Sequence, residues 1–187
     1  MKKFMLFAAC LSLAACAGAG PVLGGGLIGL FANDTHDNFC VAGTGMYQVE
    51  MWVWCFPSQN GQICAEFKVQ YPTNVIVSDV TENMALNSVT LGDLASGVSV
   101  CYINCQYDWN WPFHQTLYVT SAETTRARIV AHPLVGIHQF ASCLDGYPLE
   151  ECLGRPALLF NVDPSDPQCT GGTSDSTWGA IKGMYNQ

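Results

Sequence analysis

Between Ile63 and Tyr71 the chain alternates strictly. Ile63, Ala65, Phe67, Val69 and Tyr71 fall on one side, Cys64, Glu66, Lys68 and Gln70 on the other. A period of two residues is the mark of a β-strand with one buried face. Pro72 cannot donate to a strand ladder and ends the run. Further short apolar stretches at 27–31, 47–56, 75–80, 88–91, 98–103, 115–120, 126–131, 137–142 and 157–162 read as strands. Turn signals such as Asn60-Gly61, Gly92-Asp93 and Ser96-Gly97 separate several of them. About ten short strands with no competing helical period predict an all-β chain, an antiparallel β-sandwich of jelly-roll or immunoglobulin-like topology. After position 162 the composition turns linker-like, with Pro164, Pro167, Gly171 and Gly172. At the end, Trp178, Ile181 and Met184 stand at i, i+3 and i+6, predicting a short C-terminal helical tail.

The first residues read differently. Lys2 and Lys3 precede an apolar run from Phe4 to Leu13, and small residues follow, the order of a secretory signal peptide. The apolar run is too short to span a bilayer. Two cleavage readings stand. Ala17-Gly18-Ala19 would release a chain starting at Gly20, whereas Leu13-Ala14-Ala15-Cys16 resembles a lipobox in which Cys16 carries lipid and the signal ends at residue 15. The expected organisation is therefore a signal at 1–19, a Gly-rich spacer at 20–26, the sandwich at 27–163, and a linker with tail at 164–187. The product is expected to be secreted or periplasmic, or an outer-surface lipoprotein.

Export changes the meaning of the cysteines. Of ten, Cys10 leaves with the signal and Cys16 is removed or lipidated, leaving eight, an even number suited to disulfides in an oxidising compartment. Local spacing favours Cys55–Cys64 across the Asn60-Gly61 turn, Cys143–Cys152 across Asp145-Gly146, Cys101–Cys105, and Cys40–Cys169 joining the ends. No Cys-x2-Cys pair speaks for zinc.

Seven basic residues face fifteen acidic ones, and two of the basic ones lie in the signal. Nucleic acid is excluded as a partner, since that affinity comes from basic groups meeting phosphates. With 49% hydrophobic residues the chain is no disordered polymer.

Phe67-Lys68-Val69-Gln70-Tyr71-Pro72-Thr73-Asn74-Val75, followed by Leu91-Gly92-Asp93-Leu94 and Gly97-Val98-Ser99-Val100, resembles the strand order of cohesin-like sandwich modules. The closing Trp178-Gly179-Ala180-Ile181-Lys182 is similar to the ends of secreted, cysteine-rich bacterial proteins. The resemblance covers roughly residues 27–162 as a pattern and implies a non-catalytic sandwich.

Candidate chemistry is sparse. In Tyr107-Asp108-Trp109-Asn110-Trp111-Pro112-Phe113-His114, read as a loop, Trp109 and Trp111 are candidates for stacking on sugar rings. Asp108, Asn110 and His114 would hydrogen-bond the hydroxyls. The bland alternative is a loop that caps the core. Trp52 and Trp54 are expected to pack in the sandwich interior. Asn33, Asp34 and Asp37 cluster oxygen atoms suited to structural calcium; no other cofactor is expected. No Gly-x-Ser-x-Gly elbow, His-Glu-x-x-His or phosphate-binding glycine motif occurs, and no catalytic residue is assigned. The partner classes left are an extracellular glycan or another surface protein, for a binding or adhesion module or an assembly subunit.

Overall fold

The computed structural model describes residues 22–163 and 165–170. The signal, Cys16 and the segment carrying Trp178, Ile181 and Met184 lie outside these. Twelve strands follow one another: β1 (Val22–Phe31), β2 (Cys40–Val41), β3 (Tyr47–Phe56), β4 (Gln62–Gln70), β5 (Val75–Glu82), β6 (Asn87–Asp93), β7 (Gly97–Gln106), β8 (Asn110–Val119), β9 (Thr125–Val130), β10 (Gln139–Ala141), β11 (Leu149–Gly154) and β12 (Leu158–Phe160). A four-residue helix, α1 (Pro167–Thr170), closes the described chain.

The strands form a sandwich. One layer runs β11-β1-β3-β8-β5; the other joins β6-β7-β4-β9-β12-β2. β10 pairs with both β4 and β11 and links the layers along one side. On the opposite side, among the described residues, β5 pairs only with β8 and β6 only with β7, and no strand joins the two layers there. Most pairings are antiparallel, but β1 with β11 and β2 with β12 are parallel.

The alternation read in the sequence explains the core. Ala65, Phe67 and Val69 of β4 meet Val98, Val100 and Tyr102 of β7 on the inside, with Met51, Val53, Phe113 and Leu117 from the facing layer. Phe67, Val98, Val100, Tyr102 and Val53 are fully buried. Burying side chains of this size contributes roughly 1.5–3 kcal/mol each, which is why the period-two pattern dominates the fold.

Three readings need correction. First, the glycines expected to form a spacer belong to β1, where Val22 and Leu23 pair with Glu150 and Glu151 before an irregularity that ends at Leu27. A Cβ at Gly26 would lie 2.5 Å from the Phe140 ring, so only glycine fits the passage. Second, residues 110–114 are not loop but the start of β8, and residues 149–154 form a strand that the acidic pair Glu150-Glu151 concealed.

Third, the cysteines pair differently. Cys40 is joined to Cys169, Cys64 to Cys101 and Cys105 to Cys143, while Cys55 and Cys152 are buried free thiols. The expected Cys55–Cys64, Cys101–Cys105 and Cys143–Cys152 bridges do not form. The turn at Asn60-Gly61 leads from one layer to the other rather than closing a hairpin, for β3 and β4 do not pair. Cys64 stands directly across from Cys101. Cys101 and Cys105 share one strand, about 13 Å apart at four residues' rise, too far to bridge. Cys152 belongs to the main core, whereas Cys143 lies outside it.

Candidate functional site

β3 puts Met51, Val53 and Cys55 into the core, so Trp52 and Trp54 face outward. They are not interior residues of the sandwich. β8 has the same phase: Phe113 and Leu117 point in, and His114 faces Trp52 across the ladder. Large rings thus collect on the outer face of one layer. The excursion 32–39 and the segment around Val162 and Cys169 fold over part of it, forming a second cluster of Phe31, Phe39, Cys40, Trp54 and Val162. Trp52, Trp109, Trp111, Leu159 and Cys169 pack partly buried against it. The Cys40–Cys169 bridge pins this cover in place.

Two ring groups result. In the first, His36 stacks on Trp109 with centroids 4.3 Å apart and tilts against Trp54 at 4.7 Å. Phe56 lies 5.0 Å from Trp109. In the second, Trp52 meets Trp111 edge-on at 4.9 Å and His114 at 4.2 Å. His114 Nε2 is 2.6 Å from Glu50 Oε2, and the Thr116 hydroxyl donates to the same carboxylate oxygen at 3.2 Å. Gln48 Nε2 donates to Glu50 Oε1. Farther along the same face stand exposed Tyr118 and, across the ladder on β5, exposed Ile76.

The five residues expected to bind sugar are therefore divided. Trp109 belongs to the His36 group, and Trp111 and His114 to the Trp52 group. The Asp108 carboxylate accepts from the Trp109 backbone N–H at 2.7 Å. Asn110 is buried, its amide donating to the Asp108 carbonyl at 3.2 Å. Around them the rings meet edge-on, tilted and, for His36 with Trp109, stacked. Sequence reasoning overlooked Glu50, Trp52 and His36 as members of this face. The signal was there: Glu50, Trp52 and Trp54 alternate opposite buried Met51 and Val53.

Burial lowers the pKa of His36, against the opposing pull of Asp37 and Asp108. Its φ of +49° is rare for a residue with a side chain and holds the ring over Trp109. In the oxygen-rich turn before it, the Asn33 amide and the Thr35 hydroxyl both donate to Asp37, holding that carboxyl below its ordinary range. The Asn33 carbonyl oxygen accepts from the backbone N–H of Asp37 and Asn38. Of the three residues expected to hold calcium, Asn33 and Asp37 are thus tied into the turn's own hydrogen bonds while Asp34 is exposed, and among the described residues no three His, Cys, Asp or Glu side chains gather to hold a metal ion. Glu150 and Glu151 do not act together: Glu150 is buried and accepts from Asn60 at 2.8 Å, while its half-buried neighbour alternates to the other face.

No protein-family model matches the chain, and no curated protein resembles it in sequence. Solved structures do resemble it. A type I cohesin–dockerin complex from Clostridium thermocellum aligns over 76% of this chain and 96% of its own, with a TM-score of 0.51 at 9% identity. The cohesin module of a family 33 glycoside hydrolase from Clostridium perfringens aligns over 76% and 99%, with a TM-score of 0.51 at 12% identity. Identities this low speak of backbone architecture only. The chain has the jelly-roll β-sandwich fold of cohesin modules, stapled by three disulfides.

Proposed function

We propose that this chain is an exported, non-catalytic binding module that receives another protein on the outer face of β3, β8 and β5. The observation that carries the reading is the row Trp52, Trp111, His114, Tyr118 and Ile76, with the Glu50 carboxylate set among them. Aromatic anchors beside a charged group are the composition of protein-binding hot spots. Three disulfides suit an oxidising compartment outside the cytoplasm. The cohesin fold supports the choice of partner, one of its examples being in complex with a dockerin. Among the described residues no helix is long and apolar enough to cross a membrane. His114 and Glu50 lie on an open sheet face instead of in a cleft, so acid–base chemistry has no enclosed site there.

The test is capture of surface proteins of the producing cell by the mature chain, identification of the captured protein, and titration of the purified pair. Ile76→Asp, Tyr118→Asp and Trp111→Ala should each weaken binding by about tenfold or more, the loss of one hot-spot contact. Unchanged affinity in all three would remove this face from the account. Saturable binding on a glycan array, abolished by Trp109→Ala with Trp111→Ala, would replace the protein partner by a carbohydrate.

A further inference from the structure

The open side of the sandwich, away from the aromatic face, carries a second feature. Between β5 and β6 lies a cleft of about 240 Å³. Its walls are apolar, with Val77 and Val80 from β5, Leu94 from the β6–β7 turn, Val98 from β7, and Phe113 beneath. The Tyr71 hydroxyl donates to Gln115 Oε1 at 2.5 Å inside it. At the mouth, the Thr90 hydroxyl of β6 donates to Glu82 Oε2 of β5 at 2.7 Å and ties the two strands together. Val80 and Leu91 beside it are each nearly half exposed, at 48% and 47%.

Among the described residues β5 bonds only to β8, which leaves the backbone N–H and C=O groups of its other edge without a strand partner. A strand added to such an edge directs every second side chain into the space between the layers. Here that space is the cleft. Its volume suits one bulky aliphatic or aromatic side chain. The other side chains of an added strand would lie outside, beside Asp79, which pairs with outward-facing Thr116. From residue 75 to residue 93 the chain carries Asp79, Glu82 and Asp93 and no lysine or arginine. An unpaired edge, an apolar slot behind it and the three carboxylates along it, with Lys68 near Asp93 as a cationic neighbour, together select a visitor that is apolar on one side and cationic on the other.

We infer that the β5 edge accepts an extended segment of a partner protein in which apolar residues alternate with lysine or arginine, one apolar side chain entering the cleft. The inference stands apart from the aromatic face, and either can fail alone.

The probe is a nine-residue peptide alternating leucine and lysine, titrated into isotopically labelled mature protein and followed by amide chemical shifts. Controls are the leucine–glutamate peptide and a peptide with leucine replaced by serine. Saturable shifts on β5 and β6, weakened at least tenfold by high salt or by Asp79→Lys, are expected. Ala95→Trp, at an exposed lip of the cleft, should block entry without disturbing the core. Equal binding of the glutamate or serine peptide, shifts confined to Trp52, Trp111 and Tyr118, or no saturation at millimolar peptide would each overturn the inference.

Discussion

Cys55 illustrates how one side chain is governed by its surroundings. It is wholly buried, with Tyr102 and Gln62 as hydrogen-bond partners, and burial pushes its thiol pKa up to about 12. Cys152 is held well above its ordinary range by burial and by the neighbouring Cys55. A thiol reacts as its thiolate, so both should be inert at neutral pH. Thiol titration of the mature protein should count none in native buffer and two in guanidinium without reductant; a native thiol, or a denatured count of zero, would contradict these pairings. Tyr102 depends on the same neighbourhood, accepting from Gln62 Nε2 at 2.7 Å with no exposure. Tyr102→Phe leaves that donor unpaired and should lower unfolding stability by about 1–3 kcal/mol in urea titration, with the fold retained.

At the scale of elements, the β6–β7 connection is set by backbone geometry. Gly92 has a φ of +81°, and a Cβ there would meet the Gly97 carbonyl oxygen at 2.2 Å. The Asp93 carboxylate closes the turn by accepting from the backbone N–H groups of Ala95 and Ser96. Gly92→Ala should therefore destabilise by about 2–4 kcal/mol, the range of a backbone clash joined to left-handed strain, read as a lowered denaturant midpoint. The Cys40–Cys169 bridge closes a separation of 129 residues. Replacing both cysteines by serine should cost up to about 5 kcal/mol on the chain-entropy account. Because Cys169 packs against the Trp54 cluster, the same variant should red-shift tryptophan emission. The element most hidden in the sequence is β11. Its acids Glu150 and Glu151 hide a strand because Asn60 and the pairing with β1 and β10 supply what local pattern does not.

For the whole molecule, acid is the predicted weakness. Burial lowers the pKa values of His36 and His138 in the fold, so below the ordinary value of 6.5 the unfolded chain binds more protons than the native one. Stability then rises with pH in that window and is lost as pH falls below it. Hydrogen bonds lower the carboxyl pKa values of Asp37, Asp93 and Asp163 from an ordinary 3.8, adding a second loss at still lower pH. Urea midpoints should be level between pH 7 and 8, decline from about pH 6.5, and decline again below pH 4. A midpoint that rises on acidification from pH 7 to 5 would refute this. In His138→Gln part of the first decline should vanish.

The sequence alone determined the fold class and most strands, because a buried face imposes a period of two on β4 and β7 whatever they pair with. It also held the outward phase of Trp52 and Trp54, once Met51 and Val53 were known to point in. Only the tertiary structure decided which cysteines meet, which rings share a face and which side of the sandwich stays open. Those depend on contacts between residues far apart in the chain, such as Cys64 with Cys101 or Asn60 with Glu150, and on strands such as β1 and β11 that lie side by side without a turn between them. Periodicity records which way a side chain points, not which neighbour it finds.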